Sequence, residues 1–201
     1  MIDRKFFYNS VRVFLFNGTL SQQQVNGMNT ILDTFEDLKI YDLRWCAYPL
    51  ATTFHETDRE MWPINEYGGD AYYTRLYDVT GLYPARARSM GNVNPGDGIK
   101  YHGRGYVQLT WANNYRALGT ALKLDLLNKP ELALEPVNAA RILFRGMIDG
   151  TFTTRKLADY FTASLDEPEA ARQIINGDDH AEDIAVYHDN FLNALEGNAN
   201  A

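Results

Sequence analysis

The chain has 201 residues, of which 45% are hydrophobic and 13% aromatic, enough to bury a core without covalent staples. One cysteine, Cys46, excludes an internal disulfide and any cysteine-built zinc site, and it reads as a small buried apolar residue. A formal charge of −7 excludes a general nucleic-acid coat.

The N-terminal "MIDRKFFYNSVRVFLFNG" has apolar residues interrupted by Asn9, Ser10 and Arg12. It reads as neither a signal peptide nor a membrane span, so the expectation is synthesis in the cytoplasm with no readable export signal and no stable membrane insertion. Periodicity predicts helices over 3–16 and 21–36, parted by "NGT" (a glycosylation sequon set aside here), with Ser21 as N-cap. "LRWCAYPLATTFHET" predicts a third, buried helix that Pro49 should kink or offset. From about Met61 to Arg104 the chain is rich in Gly, Pro, Asn and Tyr, with a short helix expected at 71–78. A long irregular stretch this aromatic is expected to be ordered and functional.

A small hairpin is expected around 100–110, because residues 106–111 alternate apolar and polar side chains. "WANNYRALGTAL" follows as a helix, and "PVNAARILFRGMIDG" as another with proline at its start and glycine at its end. "TRKLADYF", "EPEAARQIING" and "HAEDIAVYHDNFLNAL" are each helical by period, and the tail "EGNANA" is expected to fray. Charge is uneven along this order. Pro84–Arg104 carries four cations against one acid, whereas Lys156–Glu196 carries two cations against ten acids, the latter read as a solvated helical face. The fold class is therefore mainly α, in one domain over 1–201.

Two motifs carry chemistry. In "LATTFHETDREMWPINEYG", Glu56 ends an apolar helix, where desolvation would favour a neutral acid able to donate a proton. Glu66 lies past Pro63 in a glycine-bounded loop and is expected to stay wet and ionised. Two carboxylates in unlike surroundings are the minimum for glycoside hydrolysis. Glu60 competes for the second role. A continuing helix would hold it only roughly 5–6 Å from Glu56, and Pro63 ends that helix, so Glu66 is preferred.

In "YHGRGYVQLTWANNY", Gln108, Thr110 and Asn114 share a segment that could wall a hydroxyl-rich ligand. By spacing alone, paired glutamates are more often surface charge and an alternating run is more often an ordinary strand. Metal readings fail: "HETDR" has Arg59 where a zinc helix needs a second histidine, and His180 and His188 lack a third ligand and read as surface histidines. "GRG" lacks the lysine and hydroxyl of a phosphate loop. No metal or cofactor is expected.

Together, "ATTFHET", "YHGRGYVQLTWANNY" and "IINGDD" resemble the family 19 glycoside hydrolases, the plant-type chitinases and their bacterial and phage endolysin relatives. The resemblance covers roughly residues 45–180. It implies a lysozyme-like helical fold with two lobes around a cleft and no separate wall-binding domain. It matches Glu56 to the general acid, and Gln108, Thr110, Asn114 and Asn176 to residues that bind sugar or hold the attacking water. The second glutamate follows the first more closely than in the chitinases, and "WPINEYG" fits the shorter phage-type members. Tyr101 and Arg104 complete the substrate-binding set, Arg104 as a residue that structures the site. The implied mechanism is inverting, with carboxyl groups roughly 6.5–9.5 Å apart. The expected partner is peptidoglycan or a chitin-type polysaccharide, acted on by a monomer. The absence of disulfides and of an export signal ranks a phage-type lysin, acting on the cell wall after release, ahead of a chitinase. A non-catalytic carbohydrate-binding protein and a transglycosylase are the further alternatives.

Overall fold

The computed structural model describes residues 2–197; of the tail 196–201 expected to fray, Glu196 closes the last helix and Gly197 caps it, and residues 198–201 lie outside the described residues. The chain divides into two compact units, one formed by residues 1–62 with 146–201 and the other by residues 63–145.

The first unit opens with α1 (Arg4–Phe14) and α2 (Gln22–Asp37). Asp3 caps α1 by accepting from the Phe6 amide. Ser21 and Gln24 form a reciprocal capping box on α2, which fixes its start where the sequence placed it. α3 (Arg44–Glu56) passes through Pro49, whose missing N–H forfeits one bond to the Trp45 carbonyl. Every residue from Cys46 to Phe54 is buried. A helix apolar on all sides belongs at the centre of a helical packing rather than on its surface. Accordingly α3 packs along α9 (Ala181–Glu196), with Phe54 edge-on to Phe16, Tyr187 and Phe191 at ring-centroid distances of 5.2, 4.8 and 6.0 Å. His188 of α9 is not the surface histidine expected: it is buried, 5.3 Å from the parallel ring of Phe161.

Two stretches expected to be α-helices form single 3-10 turns, Leu157–Asp159 and Ala170–Ile174. Their carbonyls are claimed from outside. The Thr153 hydroxyl reaches the carbonyls of Gln173 and Ile174, and the Trp45 indole takes that of Phe161, while the Arg44 guanidinium holds those of Thr162 and Leu165 in the turn between the two stretches. Carbonyls held in this way are not available for an i to i−4 ladder.

The second unit holds β1 (Ile64–Asn65), α4 (Asp70–Tyr77), α5 (Pro84–Ser89), α6 (Asp97–Lys100), β2 (Arg104–Gly105) and α7 (Ala112–Leu122). A 3-10 turn at Pro130–Leu134 follows, and α8 (Pro136–Asp149) runs on into the first unit. β1 and β2 pair antiparallel, with Ile64 opposite Gly105 and Asn65 opposite Arg104. The hairpin expected at 100–110 is one bridge deep. Arg104 and Leu109 exchange backbone bonds of 3.2 and 2.8 Å, but the alternating run does not continue as a strand. Gln108 and Trp111 take φ of 53° and 77°, a left-handed conformation that breaks extended pairing.

Asp78 anchors the irregular part of this unit. Its carboxylate, 1% exposed, accepts from the amides of Gly96 and Gly98 on one oxygen and from the amide and hydroxyl of Thr80 on the other, all at 2.8–3.0 Å. Burial pushes its pKa up, but the donors of Gly98, Thr80 and Gly96 outweigh that and hold it below the usual carboxylate range. Asn92 adds a second tie, donating to the Tyr77 carbonyl and accepting from the Ala112 amide. The aromatic loop is thereby ordered, as its composition suggested.

Candidate active site

Each unit presents one of the two candidate carboxylates. In the first unit Glu56 is the last residue of α3, and the backbone turns away at once through Asp58, Arg59 and Met61, all at positive φ. Pro63 does not end the helix: it has already closed at Thr57, whose hydroxyl donates to the Thr53 carbonyl and accepts the Met61 amide. Glu56 is not the unpartnered acid in apolar surroundings expected from the sequence. Arg172, 1% exposed, donates from Nη1 to Glu56 Oε1 at 2.7 Å, and from Nε to the Asp179 carbonyl at 2.7 Å. The physical reason is clear. A carboxylate at a helix C-terminus faces the negative end of the helix dipole, and a buried guanidinium supplies the compensating charge.

The same arginine gathers the rest of this half. Its carbonyl accepts the amide of Asn176, whose exposed side chain stands at the surface beside Gly177. His55, next to Glu56, lies 4.7 Å ring to ring from His180, and burial keeps the His55 imidazole below its ordinary pKa. Glu60 is elsewhere: it is exposed and bonded to Gln23 of α2.

In the second unit Glu66 follows β1 and is half-buried. Neutral donors hold it: Tyr77 Oη donates to Oε1 at 2.6 Å and the Gly103 amide to Oε2 at 3.1 Å. Its backbone amide donates to the Gly103 carbonyl at 2.8 Å, and the Tyr73 hydroxyl to its own carbonyl at 2.5 Å. Burial, then the bond to Glu66, raises the pKa of the Tyr77 phenol, so it remains a donor. The two glycines around Arg104 now have reasons. A Cβ on Gly103 would come 2.9 Å from Gln108 Oε1 and 3.0 Å from Glu66 Oε2. Gly105 combines a φ of 91° with the Ala133 carbonyl 2.9 Å from where a Cβ would sit.

Gln108 is brought to Glu66 across Gly103. Its amide nitrogen donates to the Gly105 carbonyl, while its buried side-chain oxygen accepts nothing among the described residues. Thr110 donates to the Gln108 carbonyl at 2.7 Å, and Asn114 is half-buried in the first turn of α7. Tyr101 and Arg104 are engaged differently from the substrate-binding role expected. The Tyr101 hydroxyl donates to the Leu127 carbonyl, and the buried Arg104 donates to the carbonyls of Lys100 and His102 and to Tyr115 Oη. Both side chains hold the loop from within.

Sequence reasoning missed Arg172, Tyr77 and Tyr73. Arg172 had a signal, as one of two cations in the acidic C-terminal stretch. Tyr73 and Tyr77 sit four apart on one helix, and so on one face, which could have marked them as a pair.

Residues 33–154, more than half of the chain, match the family described as chitinase class I, glycoside hydrolase family 19. The chain belongs to that family. Both carboxylates and the whole Gly-Arg-Gly segment fall inside the matched stretch, whereas Arg172 and Asn176 lie beyond it. An endochitinase of Arabidopsis thaliana is 40% identical over 68 residues, 34% of this chain and 25% of that protein. An inactive chitinase-like protein of Hevea brasiliensis is 60% identical over 35 residues, 17% of this chain and 11% of that protein. The chain thus spans a quarter or less of the length of these two relatives. Chitinase C of Streptomyces griseus superposes with a TM-score of 0.59 at 20% identity, covering 97% of this chain and 92% of that one, so the family 19 fold extends along nearly the whole molecule.

Proposed function

We propose that this chain hydrolyses β-1,4 bonds between N-acetylated amino sugars, with inversion at the anomeric carbon. In this reading Glu56 delivers a proton to the glycosidic oxygen. Arg172 engages its Oε1, so the proton travels on Oε2, and the same guanidinium steadies the carboxylate left behind. Glu66 takes a proton from water as that water's oxygen bonds to the anomeric carbon, and the released sugar leaves with the proton from Glu56. Gln108 and Thr110 orient the glycan and the water. The observation that carries the proposal is the Glu66 carboxylate, fixed by Tyr77 and Gly103 beside the unpaired Gln108 acceptor, within the family 19 segment.

Chitin-type glycan stands ahead of peptidoglycan as substrate, a change from the sequence ranking that the endochitinase relative supports. Peptidoglycan shares the N-acetylated β-1,4 backbone and is the second substrate to test. Incubation with N-acetylglucosamine oligomers in heavy-oxygen water should release an α-anomeric product carrying one heavy oxygen. A β product, or an anhydro product without the label, refutes hydrolysis with inversion. The inactive Hevea relative favours a second reading, glycan binding without cleavage. Binding of the oligomers with no product, unchanged in Glu56→Gln, would select it.

A further inference from the structure

One histidine of the second unit is tied to the segment bearing Glu66 through every polar contact it makes on that side. His102 is 8% exposed, and its ring stacks on Tyr73 at 4.1 Å with the planes 4° apart. The hydroxyl of Tyr73 holds the Glu66 carbonyl. Nδ1 lies 2.6 Å from the Ile99 carbonyl, which only accepts, so Nδ1 carries a hydrogen. Nε2 lies 3.2 Å from the side-chain oxygen of Asn65, the residue before Glu66 and the strand partner of Arg104. The residue after His102 is Gly103, which binds both the amide and the carboxylate of Glu66.

We propose that His102 is a positioning residue for Glu66, and that protonation at Nε2 sets the Asn65 amide and with it the placement of the carboxylate. The inference rests on Glu66 acting as the base. With Nε2 protonated, the oxygen of the Asn65 amide is its partner. With Nε2 bare, its lone pair faces that oxygen, and the amide must turn to offer its nitrogen. The charged and titratable groups around the ring come from three elements: Glu66 after β1, Arg104 on β2, and Asp70 and Tyr73 on α4. Glu66 and Asp70 favour the imidazolium, while burial, the largest influence, and Arg104 oppose it. Lys100 sits over the Tyr101 ring.

The test is a nitrogen-15 NMR titration of His102 in the full chain and in Glu66→Gln. Coupling between the two groups requires the imidazole midpoint to fall by about half a pH unit when the carboxylate is neutralised. In parallel, His102→Phe keeps an aromatic ring for the Tyr73 stack but removes the titration. Its kcat should drop about tenfold with KM unchanged, and the acid limb of its kcat profile should lose one proton. An unmoved midpoint in Glu66→Gln overturns the inference, as does a wild-type acid limb in a folded His102→Phe. Should that variant not fold, the titration decides alone. Full activity in Glu66→Gln would instead sink Glu66 as the base while leaving the measured coupling intact.

Discussion

The two carboxylates are held by opposite means. Glu56 ends a buried helix and is bound by a guanidinium that is itself 1% exposed, so its surroundings contribute a full opposite charge. Glu66 sits in a loop and is bound by a phenol and a backbone amide, with no formal charge on either donor. A charge-paired acid should resist displacement, because moving it strands a buried cation. A carboxylate held by neutral donors answers instead to the geometry of those donors, here set by a glycine and two tyrosines. Fold stability should therefore be concentrated around Glu56 and fine positional tuning around Glu66.

The largest effect that would test this contrast is Glu56→Gln. Loss of the proton donor should lower kcat by about 10²–10⁴-fold, and thermal melting should show a clear stability loss because Arg172 is left without its counter-charge. Wild-type turnover would remove Glu56 from the mechanism. Gly103→Ala comes next and should separate activity from stability. The added methyl presses on the ends of two side chains, Gln108 and Glu66, which can yield, so the melting temperature should change little while kcat falls about tenfold or more. An unaltered kcat would show that the carboxylate tolerates displacement. Tyr77→Phe removes one donor to Glu66 and should cost about 1.5–3 kcal/mol in denaturant unfolding, with a loss of kcat; stability unchanged by the variant would mean that the bond contributes nothing net.

Acidification gives a smaller, shared effect. Burial lowers the pKa of His55 and His188 in the first unit and of His102 in the second. Below the ordinary value near 6.5 the unfolded chain binds protons that these folded imidazoles refuse, so stability is lost as pH falls from about 6.5 through their lowered midpoints. His180, raised by its bond to Asp183 and then by Asp179, acts in the opposite sense but is exposed to solvent, which weakens its contribution. Melting temperature should decline between pH 7 and 5, and a flat profile would count against neutral imidazoles at the half-buried His55 and the buried His102 and His188. The smallest effect belongs to Glu60→Gln, which should leave kcat within about twofold, since that side chain is exposed after α3 and bonded to Gln23 of α2.

Much of this was legible in the sequence because it is local. The Ser21 cap, the apolar helix through Pro49 and the spacing of the Glu56 and Gly-Arg-Gly motifs are all set within short windows. What escaped was non-local or sterically special. Arg172 meets Glu56 across 116 positions, so no pattern could have revealed that the expected dry acid has a cation. The run 106–111 has the period of a strand, but left-handed residues at Gln108 and Trp111 override it to bring the glutamine side chain to Gly103. The predicted helices around 157 and 170 were lost because their carbonyls bond to side chains elsewhere in the unit.

Asp78 has a consequence of its own. One carboxylate, by accepting from Thr80, Gly96 and Gly98, ties together positions up to twenty apart in the chain. A cross-link built from hydrogen bonds performs the task that small extracellular proteins often give to paired sulfurs, yet thiols and oxidants leave it untouched. This corner of the molecule should keep its shape in dithiothreitol as well as in air, and a single Asp78→Asn exchange should loosen it where no reductant can.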